Sequence, residues 1–175
     1  FINIIEKSDL ARYTIHARIA VLAGLDPKQN REIPPLRYEE IYALKREKPN
    51  LQIEINGGIK TVEEIETHLK HVDAVMIGRE FYENPMILAD LNRFYNIEEN
   101  KISREEIVEK ILIYVEKMEK NNERPHLFLR HTQGLFHNVK GSKYWKNSIN
   151  VTNIKNTPAS EVLREILKSI AEREV

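Results

Sequence analysis

The sequence predicts an α/β part followed by an all-helical part, and three observations carry this prediction. Residues 11–79 read as strand, helix, strand, helix and strand, the pattern of parallel strands joined by helical crossovers. Glycines follow the second and third of these strands. After Pro85 the apolar residues recur at helical spacing. We therefore expect an α/β domain at residues 1–95 and a helical domain at residues 96–175.

The α/β part opens with the end of an amphipathic helix over residues 1–9 and a short strand over residues 11–17. Residues 26–35 are expected to form a polar loop, because they are rich in turn formers. A connection of that length is more often functional than passive.

Spacing and capping signals predict the remaining elements. Thr61 with Glu64, and Ser103 with Glu106, read as capping boxes at the starts of two helices. The elements expected in the α/β part are helix 38–48, strand 51–55, helix 61–71 and strand 72–77. Those expected in the helical part are helices 87–94, 104–121, about 127–136 and 160–173.

Composition excludes several kinds of site. The chain has 175 residues, a formal net charge of zero and no cysteine, which excludes disulfides, thiolate metal sites and cysteine nucleophiles within it. No apolar run approaches the roughly 18 residues that cross a bilayer, so we expect no membrane segment. We also expect no metal site, with His68 and His71 exposed near a helix end.

The neutral average hides a basic stretch over residues 124–160, which contains no Asp or Glu. Lys143 and Lys146 in this stretch would share a helix face, a geometry that suits adjacent phosphates of a nucleic acid. The alternative is a solvated helix, with Phe136 and Trp145 in the core. Six cations lie in the stretch: Arg124, Arg130, Lys140, Lys143, Lys146 and Lys155.

The two glycine sites predict a phosphate-binding edge. Gly57 and Gly58 follow the second strand, and Gly78 with Arg79 follows the third. Backbone N–H groups and a positive helix end meet at such places, and phosphate sites of eight-stranded parallel barrels commonly follow strands seven and eight. His16, at the end of the first strand, would lie at the same rim. The alternatives are simple tight turns and a core or surface histidine.

Five segments together resemble the A-type tRNA-dihydrouridine synthases, and they occur in the order in which that family carries them. They are TIHAR at 14–18, KQNREIPPL at 28–36, INGGI at 55–59, VMIGRE at 75–80 and RHTQGLF at 130–136. The resemblance runs through the whole chain.

Members of that family have an FMN-binding (β/α)8 TIM barrel followed by a small helical domain. The resemblance implies that residues 1–95 are the C-terminal part of such a barrel, about strands six to eight, and that residues 96–175 form a tRNA-binding domain. It implies FMN contacts at His16, Asn56, Gly57, Gly58, Gly78 and Arg79.

The same resemblance implies tRNA contacts at four basic residues. Lys28 and Arg31 match the loop after strand six, and Lys143 and Lys146 match positions in the helical domain. The family often has arginine at the latter two positions. Lysine keeps the charge but loses the bidentate guanidinium fork.

In the family reaction NADPH reduces FMN, which passes a hydride to a tRNA uridine, while a cysteine acts as general acid. This chain has no cysteine, and the family's lysine on strand five is also absent. We expect both in an N-terminal half outside this chain. This chain would be inactive alone. We also expect self-association through the open barrel edge, and a cytoplasmic location.

Two other functions remain open from the sequence. The first is a non-enzymatic RNA-binding module on a half-barrel scaffold. The second is an FMN enzyme that acts on a small metabolite, which would leave the basic stretch without a purpose.

Overall fold

The computed structural model describes residues 2–8, 10–97, 102–151 and 157–171. Its contacts divide the chain into two compact units, Phe1–Glu80 and Phe81–Val175, here called the N-terminal and C-terminal units. The first contains a parallel sheet with helices, and the described residues of the second are helical. The coarse prediction of an α/β part followed by a helical part is therefore confirmed.

The N-terminal unit is built on a three-stranded parallel sheet with strand order β1-β2-β3. Its strands are β1 (Tyr13–His16), β2 (Ile53–Asn56) and β3 (Ala74–Met76), and its helices are α1 (Ile2–Ile5), a 3-10 turn (Glu6–Ser8), α2 (Pro27–Glu32), α3 (Tyr38–Glu47) and α4 (Val62–Leu69). Ile53 and Ile55 on the central strand are fully buried, because helices cover the sheet.

The polar loop predicted over residues 26–35 is wrong, since α2 occupies most of it. Asp26 accepts hydrogen bonds from the backbone N–H groups of Lys28 and Gln29, and Gln29 Oε1 accepts from the backbone N–H of Asp26. Pro27 supplies the fixed φ that suits a first helical position. Asp-Pro-x-Gln is a capping signal that the sequence displays, and the turn-forming composition obscured it.

Asp73 is a charged residue in an apolar segment, directly before β3, and its side chain bonds to the backbone of β2. Its carboxylate accepts from the backbone of Ile53 at 2.8 Å and from Lys45 Nζ at 2.8 Å. Partial burial pushes the pKa of Asp73 upward, but the bonds from Lys45 and Ile53 outweigh it, so the pKa lies below its ordinary value.

His68 is buried, so the prediction that it is exposed is wrong. It lies three residues after Ile65 on the inner face of α4, and both side chains are about 5% exposed. The Tyr42 hydroxyl is 2.6 Å from His68 Nδ1. Burial lowers the pKa of His68. His71 is exposed as predicted, and it stacks on Tyr42 with ring centroids 4.3 Å apart.

The C-terminal unit packs its helices around Val108, Leu129, Trp145 and Leu163, each 1% exposed or less. The capping box predicted at Ser103 is confirmed. The helices described are α5 (Arg79–Glu83, which begins in the N-terminal unit), α6 (Ile87–Phe94), α7 (Arg104–Lys120), α8 (Pro125–Leu129), a 3-10 helix (Arg130–Phe136), α9 (Ser142–Val151) and α10 (Ala159–Ala171).

The contacts separate the two units at Glu80, whereas the period of the sequence changes near residue 95. A change of period marks where helices become continuous. Met86, just before α6, already packs against the core of the helices that follow. What each predicted domain binds stays a prediction. Lys155 lies outside the described residues.

Candidate functional site

The register of the sheet brings three strand ends to one edge. His16 pairs with Asn56 across β1 and β2, and Asn56 pairs with Met76 across β2 and β3. Each is the last residue of its strand, so the segments that follow, including Gly57 and Gly78, leave the sheet at the same level. This is the rim at which parallel α/β sheets bind ligands.

His16 presents a hydrogen-bond donor at this edge. Its Nδ1 accepts the backbone N–H of Arg18 at 3.0 Å, which fixes the neutral ring in the tautomer with hydrogen on Nε2. The side chain is exposed, so Nε2 can donate to a ligand oxygen.

Two successive glycines form a turn that no other residue fits. Gly57 has φ +120° and Gly58 has φ +75°, conformations that L side chains rarely adopt. A Cβ on Gly57 would lie 3.1 Å from His16 Cε1, and one on Gly58 would lie 2.6 Å from Leu36 Cδ1. The backbone conformation therefore requires glycine after β2, and a Cβ there would also force the side chains of His16 and Leu36 to shift.

The start of α4 does not contribute the positive helix end that was expected after β2. The Glu64 carboxylate accepts from the backbone N–H groups of Lys60 at 2.7 Å and Thr61 at 3.1 Å. The capping box thus satisfies these donors and places a negative charge there. Any anion contact after β2 belongs to the Gly57–Gly58 turn itself.

Arginines that follow β1 and β3 hold the C-terminal end of α2. Arg79 Nη2 donates to the carbonyl of Arg31 at 3.2 Å. Arg18 Nη1 donates to the carbonyls of Glu32, at 3.1 Å, and Pro34. Carbonyls at a helix end lack intrahelical partners, so the two guanidinium groups cap α2.

The side chains of Lys28 and Arg31 are exposed on α2, three residues apart on one face. Gly78 is exposed and a Cβ added to it would meet no atom within 4 Å, which leaves open space beside the strand ends. Arg79 is also exposed, and its bond to Arg31 leaves other guanidinium N–H groups available.

In the C-terminal unit, α9 confirms that Lys143 and Lys146 are on a helix and exposed. Trp145 lies on the inner face, 1% exposed, and its Nε1 donates to the Thr132 carbonyl at 2.8 Å. The ion pairs found among the described residues involve neither lysine. Trp145 and Phe136 are core residues, as the alternative of a solvated helix expects.

Part of the basic stretch is structural. Residues 130–136 form a 3-10 helix in which His131 Nε2 accepts from Arg130 Nε at 3.2 Å while Nδ1 lies 2.8 Å from the Tyr82 hydroxyl. A Cβ on Gly134 would lie 2.4 Å from the Glu83 carbonyl oxygen, so glycine permits close packing against α5. The exposed cations that remain for binding lie mainly at and around α9.

The edge described above brings together groups that can contact an anion. The Gly57–Gly58 turn presents backbone without side chains, Arg79 supplies a cation, and His16 supplies the Nε2 donor. Backbone N–H groups and a guanidinium are the usual partners of phosphate oxygens.

Within the described ranges, no helix is long and apolar enough to cross a membrane. The same ranges contain no cluster of His, Asp or Glu side chains that could hold a metal ion.

Comparison with known proteins assigns the class. Residues 1–171 match the family model of the dihydrouridine synthases. The chain is 42% identical over 170 residues to a tRNA-dihydrouridine(20/20a) synthase of Synechocystis sp., which covers 97% of this chain and 51% of the relative. It is 39% identical to synthases of the same name from Vibrio cholerae and Salmonella typhi, with 99% of the chain and 53% of each relative covered.

This chain belongs to the dihydrouridine synthase family. It spans about half the length of the curated relatives it matches. The resemblance inferred from five sequence segments is thereby confirmed at the level of the family.

Proposed function

We propose that the protein is a tRNA-dihydrouridine synthase that reduces uridine to 5,6-dihydrouridine in tRNA, in the cytoplasm, with NADPH as the reductant and FMN as the cofactor. The observation that carries the proposal is the alignment of His16, Asn56 and the Gly57–Gly58 turn at one sheet edge of a family member. The names of the relatives support tRNA as the substrate.

We further propose that the N-terminal unit is the C-terminal part of a (β/α)8 barrel, corresponding to strands six to eight. Three parallel strands with sequential order and helical crossovers support this. The position of the phosphate-binding turn after the second of these strands, strand seven in the barrel, agrees with the common phosphate site of such barrels.

When bound, FMN would supply the hydride chemistry. The residues of this chain would hold its phosphate through Gly57, Gly58, Gly78 and Arg79, and His16 would donate from Nε2 to an oxygen of the cofactor. Lys28 and Arg31, and separately Lys143 and Lys146, would bind tRNA phosphates. With no cysteine in the chain, the proton that the family's cysteine delivers would come from outside these residues.

A hybrid protein tests the function. We would replace the matched 170 residues of the Synechocystis relative by this chain and express the hybrid in a bacterium that lacks dihydrouridine at tRNA positions 20 and 20a. Mass spectrometry of its tRNA should show dihydrouridine restored there, and a hybrid with Arg79→Ala and Gly58→Ala should not restore it. A soluble hybrid that binds tRNA without forming dihydrouridine would favour the non-enzymatic RNA-binding alternative.

The chain by itself is also expected to self-associate. The N–H groups of Tyr13 and Ala17 donate to carbonyls of residues 52 and 56, so the alternation of the strand turns the backbone of Thr14 and His16 toward the free edge of β1. A groove of about 790 Å³ beside this edge is lined mainly by apolar side chains, among them Leu10, which is 53% exposed, with charged residues including Arg12 and Glu47. An unpaired edge with apolar surface favours pairing with a second copy of the chain.

Sedimentation velocity at increasing concentration should therefore show dimers or larger species. Leu10→Lys should shift the distribution toward monomer, because it places a charge in the groove. Ile113→Lys is the matched control, since Ile113 is 67% exposed on α7 and outside the groove. Monodisperse monomers of the unsubstituted chain would contradict this expectation.

A further inference from the structure

Tyr38 at the start of α3 touches the phosphate-binding turn. Its hydroxyl donates to the Gly57 carbonyl at 2.7 Å. A Cβ on Gly58 would lie 3.2 Å from the same hydroxyl oxygen. The phenol therefore lies against both glycines, although 19 positions separate Tyr38 from Gly57 in the sequence.

The bond matters because Gly57 is buried. A buried carbonyl without a partner costs roughly 1–3 kcal/mol, and glycine has more backbone freedom to lose than any other residue. Two successive positive-φ glycines have no side chains with which to hold their own conformation. A partner from another element must fix the orientation of the peptide between Gly57 and Gly58.

The ring of Tyr38 is itself held in place. It lies edge-on to His68 with centroids 4.4 Å apart, and His68 is buried with Tyr42 at its Nδ1. Burial raises the pKa of Tyr38, and the nearby Glu64 carboxylate raises it further. The hydroxyl therefore stays protonated and able to donate. The buried histidine thus packs against the tyrosine that binds the turn.

We propose that Tyr38 is a positioning residue for the phosphate of FMN: its hydroxyl fixes the Gly57 carbonyl, so that the N–H groups of the turn face the strand-end edge. The inference rests on the proposed function, in which the turn holds that phosphate. Under this proposal Tyr38 affects only the binding of the phosphate and makes no contact with the flavin ring.

The test compares FMN with riboflavin, which has the same ring system without the phosphate. Equilibrium dialysis should show that Tyr38→Phe weakens FMN binding by about 3- to 10-fold, the worth of one hydrogen bond, and leaves riboflavin binding unchanged. Tyr13→Phe is the matched control. It removes a hydroxyl from the same unit, one that bonds to the Ile5 carbonyl and not to Gly57, and should keep the FMN-to-riboflavin ratio of the unsubstituted chain.

Amide hydrogen exchange at Gly57, Gly58 and Ile59 supplies a readout without ligand. Exchange there should be faster in Tyr38→Phe than in Tyr13→Phe. If the unsubstituted chain prefers FMN and Tyr38→Phe keeps the full preference, the inference is overturned while the proposed function stands. If the unsubstituted chain has no preference for FMN, the flavin part of the proposed function fails. Equal exchange in the two variants would then overturn the role of Tyr38 as well.

Discussion

Replacing Lys143 and Lys146 together by alanine is expected to weaken tRNA binding on the order of 10- to 100-fold near 0.1 M salt. Both side chains are exposed on one face of α9, in a stretch without carboxylates, so each can neutralise a phosphate. Each lost contact should lower the slope of log affinity against log salt by about 0.7 to 0.9. Filter binding at several salt concentrations measures both quantities.

The matched control removes two lysines from a different surface of the same unit. Lys117 and Lys120 are exposed in the last turn of α7, also three residues apart. Lys117→Ala with Lys120→Ala changes the net charge equally and should leave the salt slope nearly unchanged. Equal losses in the two double variants would show that net charge, and not the α9 face, determines binding.

Gly134→Ala is expected to destabilise the C-terminal unit by about 1–3 kcal/mol, toward the upper end of that range. The added Cβ would lie 2.4 Å from the Glu83 carbonyl oxygen and 2.8 Å from the Tyr82 carbonyl oxygen. Both are backbone atoms, so no side-chain rotation relieves the overlap and α5 or the 3-10 helix must move. Urea denaturation followed by the fluorescence of Trp145, the single tryptophan, reports the loss.

Gly78→Ala adds the same methyl group where no atom lies within 4 Å. It should leave the Trp145 transition where it is in the unsubstituted chain. A Gly134→Ala variant with an unshifted midpoint would mean that the two segments can separate without cost, and that the close packing of residues 130–136 on α5 is not a source of stability.

The sequence was informative where local signals agreed with each other. The capping boxes at Thr61 and Ser103, the three strands and the core positions of Trp145 and Phe136 follow from spacing and cap chemistry, and the structure confirms them. The helix α2 has a comparable capping box, formed by Asp26 and Gln29, but the turn-forming composition of residues 26–35 favours a loop.

Two local signals in α4 compete with others in the same helix. Mixed polarity predicts an exposed His68, but His68 follows Ile65 at the spacing of a shared helix face and is buried. A strand that runs into a helix predicts a positive helix end for an anion, but the capping box at Thr61 places the Glu64 carboxylate there.

The contacts that shape the candidate site join residues far apart in the sequence, and local sequence signals do not predict them. The bonds from Tyr38 to Gly57 and from Arg79 to Arg31 join residues 19 and 48 positions apart, and no periodicity or composition encodes such pairs. The rim itself was predictable because parallel strands end together. The side chains that fix its geometry required the three-dimensional structure.

The arginine caps on α2 also have an entropic consequence. A six-residue helix is too short to be stable by itself in water, so its order depends on what anchors it. Here Arg18 and Arg79 fasten its last carbonyls to the ends of β1 and β3. The backbone that carries Lys28 and Arg31 therefore loses its freedom when the protein folds, and a polyanion that binds there need immobilise little beyond the two side chains.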